Sequence, residues 1–166
     1  MASIAEAIAC SDELLRQHGL WQQGWRTRPD RAKTRAGCCR YTRKIIGLSA
    51  PITALNSWEQ TLDTIRHEIA HALVGPGHGH DEVWQAMAEK LGATPKACCH
   101  AQSPAARYQL HCQRCGKMVR GYHRRPRIDL SKYWASCCGK AGLGCLQLVE
   151  SVPAGNHLPG GKSDSQ

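Results

Sequence analysis

The sequence contains no phenylalanine and only five Trp and four Tyr among its 166 residues. A buried core must therefore be built from aliphatic side chains and tryptophan, and we expect bound metal to add to its stability. No apolar run is long enough to cross a bilayer, which excludes an integral membrane helix. Residues 1–19 carry three acidic side chains, the wrong charge for a secretory signal peptide. These absences predict a cytoplasmic protein that makes no membrane contact.

Acidic residues are scarce as well: 13 Asp and Glu stand against 22 Lys and Arg, which gives a net charge of +9. The excess lies in two segments. Residues 26–44 and residues 107–132 each hold eight basic residues, against Asp30 in the first and Asp129 in the second. Such segments predict DNA binding through the phosphate backbone. A solvated face that only keeps the protein soluble is the alternative.

The stretch that organises the chain is residues 61–84, which contains the pattern H-E-x-x-H at His67, Glu68 and His71. On a helix this spacing places both imidazoles on one face, about 5–6 Å apart at Cβ, where they can bind one zinc ion. Glu68 can then accept a proton from a water molecule on that metal. The pattern is typical of a catalytic site in a zinc-dependent hydrolase.

The surrounding residues predict two helices. Ser57 and Gln60 form a capping box at the start of the first helix, and Gly75 follows its last apolar position. Asp81 is expected to cap the second helix, which ends at Gly92. The apolar positions of these helices recur at helical spacing: Leu62, Ile65, Ile69 and Leu73 in the first, and Trp84, Met87, Ala88 and Leu91 in the second.

A catalytic zinc needs three protein ligands and one open position, so a third ligand must follow the first helix. His78 and His80 are both candidates, because the flanking glycines allow either ring to turn inward. If His78 closed the site as a fourth ligand, the metal would be structural and the chain a non-catalytic, zinc-containing nucleic-acid-binding protein. A hydrolase that acts on something other than protein is a further alternative.

The sequence H-E-I-A-H-A-L, followed by His80 four residues before Trp84, resembles the SprT-like family of zinc metalloproteases. This family includes Spartan, which degrades proteins crosslinked to DNA. The resemblance covers about residues 14–149 and is closest to small members of bacterial or phage type with a zinc-ribbon-like tail. It implies that His80 is the third ligand. It also implies a zinc-dependent endopeptidase that acts on DNA-bound proteins, with one catalytic zinc and Glu68 as the base.

The fold class implied is α+β: a zincin-like minimal metalloprotease core followed by a small zinc-ribbon-like β module. The core, residues 1–94, contains an N-terminal helix, a small sheet, the H-E-x-x-H helix and the next helix. A connector at 95–107, a basic module at 108–150 and a disordered tail at 151–166 follow. We expect a helix at residues 4–18 and strands at 24–28, 35–42 and 45–49, with a turn at residues 28–30. Within the second strand, one of Cys38 and Cys39 should be buried and the other partly exposed.

Ten cysteines in a chain of this expected location indicate metal binding rather than disulfides. Cys112 and Cys115 form the C-x-x-C-G pattern of a zinc knuckle. The second pair of a ribbon is incomplete, because alanine stands three residues before Cys138. We expect Cys138 as the third ligand and favour Cys145 as the fourth ligand of a second, structural zinc. The alternatives for the fourth ligand are Cys137, His123, Cys98 and Cys99, and a further alternative is that the ribbon no longer binds metal.

Overall fold

The computed structural model describes residues 1–96, 101–139 and 143–151. The chain divides into two compact units, of which the first is Met1–Pro104 and the second begins at Ala105. Cys98 and Cys99, considered above as metal ligands, lie outside the described residues, and so does the predicted disordered tail beyond Ser151. Helices and small sheets occur together, so the fold is α+β.

Among its described residues, the first unit contains four α-helices and one three-stranded sheet. The first, third and fourth helices lie close to the predicted positions, whereas the short second helix was not predicted from the sequence. In chain order the elements are α1 (Ile4–Gln17), β1 (Arg26–Asp30), β2 (Gly37–Arg40), β3 (Ile45–Ser49), α2 (Ala50–Thr53), α3 (Trp58–Val74) and α4 (Glu82–Lys90).

The sheet has the strand order β1-β3-β2, with β1 parallel and β2 antiparallel to the central β3. The turn predicted at residues 28–30 is wrong, because β1 continues through Pro29, which pairs with Leu48. Proline has no N–H to donate, and an edge strand tolerates it where no second neighbour needs that donor. The second strand is shorter than predicted, since a 3-10 turn at Tyr41–Arg43 follows Arg40.

The core of the first unit lies between the sheet and the helices α1 and α3. Its buried residues are aliphatic apart from one tryptophan, as the lack of phenylalanine requires. They are Ala7, Leu15, Leu20, Trp25, Ile46, Leu48, Ile65, Ile69 and Ala72. A second cluster joins α3 to α4 through Ala70, Trp84, Ala88 and Ala93. Helix α3 is therefore held on two sides, which fixes the residues it carries.

Both ends of α3 follow the predicted signals. The Ser57 hydroxyl accepts a hydrogen bond from the Gln60 main-chain N–H at 3.2 Å, and the Gln60 side-chain oxygen accepts from the Ser57 N–H at 3.0 Å. At the other end Gly75 adopts a φ of 84°, a conformation that favours glycine. These signals fix the register of the helix and with it the direction of His67 and His71.

The second unit contains a three-stranded antiparallel sheet of β4 (Tyr108–Cys112), β5 (Met118–Tyr122) and β6 (Leu146–Glu150), in the order β5-β4-β6. Its buried core is small: Leu110, Cys112, Ala135 and Leu146. A core of this size gives little stability on its own, so a metal cross-link would contribute much of it. Among the described residues, no helix in either unit is both long and apolar enough to span a membrane.

Candidate functional site

Three histidines converge at one end of α3. His67 and His71 lie one turn apart on that helix, and His80 comes from the loop before α4. The Nε2 atom of His80 lies 3.1 Å from His67 Nε2 and 3.2 Å from His71 Nε2. One ring nitrogen of each histidine falls within 4.8 Å of the others. The structure thus brings together the two helical histidines and His80.

This geometry fits a single tetrahedral metal ion. Zinc binds imidazole nitrogen at about 2.0–2.1 Å, so two ligand nitrogens of a tetrahedral site lie about 3.3 Å apart. Burial and the neighbouring imidazoles lower the pKa of His67 to about 4. Burial and His80 likewise lower the pKa of His71 to about 4. Both rings are therefore neutral near pH 7, and their lone pairs are available to a cation.

The three rings are backed by the indole of Trp84, which is fully buried. Its ring centroid lies 4.6 Å from that of His67, 5.1 Å from His71 and 4.5 Å from His80. Asp81 caps α4 by accepting a hydrogen bond from the Trp84 main-chain N–H at 3.0 Å. The sequence predicts Trp84 only as an apolar residue of α4. Because Trp84 contacts all three imidazoles, α4 helps to hold their rings in position.

His78 is not part of this group, although it lines the same cleft. Its Nδ1 atom lies 2.8 Å from the carboxylate of Asp81. Within the described ranges no fourth His, Cys, Asp or Glu joins the three histidines. Within these residues the group offers a metal ion three side chains, which is the number of protein ligands typical of catalytic zinc sites.

Glu68 lies beside the histidines at the base of a cleft of about 540 Å³. The cleft runs between α3 and residues 34–39, which include the first three residues of β2. Glu68 is only 7% exposed, and this burial raises its pKa to about 7, while Arg35 and the main-chain N–H of Cys39 lower it in part. A carboxyl group with a pKa near the working pH is suited to accept and return a proton.

In the second unit four cysteines converge. Cys112 Sγ lies 3.6 Å from Cys138 Sγ, and Cys115 Sγ lies 3.4 Å from Cys137 Sγ. All four sulfur atoms fall within 4.8 Å of one another. Zinc–sulfur bonds of about 2.3 Å place tetrahedral ligands about 3.8 Å apart, so the cluster needs only small shifts to bind one ion. The residues fit a structural zinc.

The thiol groups of this cluster differ in pKa. Main-chain N–H groups of Cys115 and Arg114 help lower the pKa of Cys112 to about 7. Hydrogen bonding with Cys112, together with burial, raises the pKa of Cys138 to about 12. Ionisation of one thiol therefore makes ionisation of the next less favourable. A bound divalent metal would allow all four thiols to be deprotonated.

The fourth cysteine of this cluster differs from Cys145, which the sequence favoured. Cys137 occupies that position, whereas the sulfur of Cys145 lies outside the group. The reason is a tight turn: the N–H groups of Cys138 and Gly139 both donate to the Ala135 carbonyl, at 3.1 and 3.0 Å. In such a turn adjacent side chains can face one ion, which they cannot do in a strand. His123 is likewise outside the group.

Cys38 and Cys39 are both half-buried, so the expectation that one of them is buried is wrong. They do face opposite sides of β2, since Cys39 packs against the core while Cys38 Sγ lies 3.9 Å from an Asp30 carboxylate oxygen. Neither belongs to a group of metal-binding side chains among the described residues.

Several charges of the first basic segment, residues 26–44, hold the fold. Arg26 donates to two main-chain carbonyls of the preceding loop at 2.7 and 3.0 Å, and Lys44 donates to a third at 2.7 Å. Arg35 and Arg40 form ion pairs with Asp30, at 2.8 and 3.5 Å. These four side chains are therefore less available to an external anion than the net charge implies.

In the second basic segment, residues 107–132, Arg107 pairs with Glu150 at 2.8 Å and Lys132 pairs with Asp129 at 3.4 Å. The Arg120 guanidinium lies 5.4 Å from the centroid of the Tyr122 ring. By contrast, Arg125 is exposed and has no ion pair within the part of the chain that the structure describes. The loop after β5 thus keeps positive charge that is directed to solvent.

Two imidazoles and a buried carboxyl group on α3, with a third imidazole from the loop before α4, form a candidate metal-binding site in an open cleft. Comparison with protein families then gives a match to the SprT-like family over residues 9–124, well over half of the chain. The chain belongs to the SprT-like family, which is associated with metallopeptidase activity. No curated protein and no solved structure gives a significant match.

Proposed function

We propose that the protein is a zinc-dependent endopeptidase with a zincin-like core, in which His67, His71 and His80 bind the catalytic zinc. The observation that carries this proposal is the placement of the three imidazole nitrogens beside Glu68, at the base of an open cleft. The described residues offer that metal three ligands and leave one coordination position for water or substrate.

Zinc, when bound, supplies a Lewis acid that lowers the pKa of water and polarises a peptide carbonyl. Glu68 accepts a proton from the attacking water and delivers it to the leaving amine. Its position supports this role, because Glu68 follows His67 directly on α3 and lines the same cleft as the three imidazoles. Trp84 holds the imidazole rings in place and thereby keeps the attacking water near Glu68.

The substrate is proposed to be an extended peptide that lies along the outer edge of β2. Among the described residues this strand pairs with β3 alone, and residues 34–39 form one wall of the cleft. An edge strand offers main-chain donors and acceptors to a peptide irrespective of the peptide's side chains. Cleavage with little sequence preference follows from such binding.

DNA-bound proteins are the proposed substrates, in the cytoplasm. The exposed positive charges of residues 107–132, such as Arg125, would hold the enzyme on the phosphate backbone and raise its concentration near proteins on the same DNA. A second zinc on Cys112, Cys115, Cys137 and Cys138 would stabilise the small sheet that carries these charges.

The test is cleavage of casein and of a DNA-binding protein, each with no DNA, with single-stranded DNA and with double-stranded DNA. Glu68→Gln is the matched control, because it keeps the shape of the side chain and removes its basicity. We expect the wild type to cleave both proteins, DNA to accelerate only cleavage of the DNA-binding protein, and Glu68→Gln to retain zinc without cleaving. DNA binding without any cleavage would favour the non-catalytic nucleic-acid-binding alternative.

A further inference from the structure

Gly37 begins the edge strand β2 and lies directly against the candidate base. A Cβ atom built at this position would lie 2.7 Å from both Cγ and Oε1 of Glu68, and 3.0 Å from its Cδ. Contacts below 3.0 Å are essentially never observed for real Cβ atoms. Any side chain at position 37 would therefore displace Glu68 or the strand.

The backbone at this position does not itself require glycine. Gly37 lies outside the left-handed region, whereas Gly75 and Gly77 have φ values of 84° and 105° and open space around them. Glycine in a strand is unfavourable by about 0.5–1 kcal/mol relative to alanine. The role of Gly37 is thus the space it leaves, and the atoms that fill this space are those of Glu68.

The same strand provides the carboxyl group with a donor. The main-chain N–H of Cys39, two residues after Gly37, lies close enough to the Glu68 carboxyl group to lower its pKa. Residues two apart in a strand present their main-chain groups to the same side. Strand β2 therefore meets Glu68 at two positions, the gap at Gly37 and the main-chain N–H of Cys39.

We propose that Gly37 is a positioning residue for Glu68: by having no side chain, it lets β2 close over the carboxyl group and hold it beside the three histidines. This inference rests on the proposed function, in which Glu68 is the general base. Real Cβ contacts are seen only from 3.0 Å and are ordinary from 3.4 Å, so a methyl group at position 37 must move the carboxyl group or the strand by about 0.3–0.7 Å. A misplacement of about 1 Å can reduce catalysis about 100-fold.

The first measurement is steady-state cleavage by Gly37→Ala, with zinc content determined on the same sample. We expect kcat to fall by about 10- to 100-fold, with KM within about twofold of wild type and zinc content unchanged. Gly47→Ala is the matched control, since a Cβ atom there also meets an atom at 2.7 Å, but this atom is the sulfur of Cys38. It should lower the melting temperature and keep kcat within about twofold. An unchanged kcat in Gly37→Ala, or an equal loss in Gly47→Ala, would overturn the proposal.

The second measurement is a double-mutant cycle on melting temperature with Glu68→Ala, which removes the three atoms nearest to a Cβ at position 37. Gly37→Ala should lower the melting temperature when Glu68 is present and leave it unchanged in the Glu68→Ala background. An equal loss in both backgrounds, or a double variant that does not fold, would show that the strand itself needs glycine. The cycle does not depend on enzyme activity. It therefore tests the packing of Gly37 against Glu68 even if the wild type cleaves no protein and the proposed function fails.

Discussion

Removing the indole of Trp84 is expected to weaken zinc binding as well as the fold. The side chain is fully buried, and its ring centroid lies 4.5–5.1 Å from those of His67, His71 and His80. Replacing a buried tryptophan by alanine costs about 3–5 kcal/mol of unfolding free energy. Loss of a residue that orients metal ligands typically lowers metal affinity about 10- to 100-fold. Trp84→Ala should therefore show both effects.

Trp84→Phe is the matched variant. The indole Nε1 has no hydrogen-bond partner within the described residues, so phenylalanine breaks no hydrogen bond and keeps an aromatic ring against the imidazoles. We expect it to retain zinc affinity within about threefold and to lose less stability than Trp84→Ala. The assays are urea denaturation of the zinc-loaded protein and competition for zinc with a chelator. If Trp84→Ala lost stability but bound zinc as tightly as the wild type, the indole would be a core residue only and our account of its role would be wrong.

Three further predictions follow from the cysteine cluster, the buried carboxyl group and the exposed charge. Cys137→Ser should lower the zinc content from two ions per chain to one, whereas Cys145→Ser should leave it at two; the reverse pattern would restore the ligand set favoured from the sequence. In the metal-free protein, burial raises the pKa of Glu68 to about 7. The contribution of the protonated side chain to the stability of the fold is therefore fully present below about pH 4.5 and is lost as the pH rises through 7. The melting temperature of Glu68→Gln should therefore increase relative to wild type between pH 4.5 and 8, and a constant difference would contradict the burial of the charge. Arg125→Ala should weaken DNA binding and reduce the slope of log affinity against log salt by about 1, while Arg107→Ala, whose partner is Glu150, should change it less.

The position of the histidine pair could be predicted from the sequence because local rules determine it. The capping box at Ser57 and Gln60 and the glycine at position 75 fix where α3 begins and ends, and a helix of known register places His67 and His71 on one face. The choice of His80 over His78 came from the family resemblance, because both residues lie in a glycine-rich loop where spacing alone decides nothing.

The features that the sequence did not predict depend on packing between elements. Pro29 signals a turn locally, yet an edge position in the sheet accommodates it. Cys137 was only one of several alternatives to Cys145 in the sequence, and it joins the other three sulfurs because residues 135–139 form a turn whose first residue, Ala135, is buried. Gly37 looks like any small residue until the helix that carries Glu68 packs against it.

The most direct test of the central claim is to locate the metal by anomalous diffraction at the zinc absorption edge in crystals of the wild-type protein. We predict one zinc about 2.0–2.1 Å from the Nε2 atoms of His67, His71 and His80, with water or substrate in the fourth position and Glu68 beside it. Absence of a zinc peak between these rings, or a fourth protein side chain on the metal, would contradict a catalytic site.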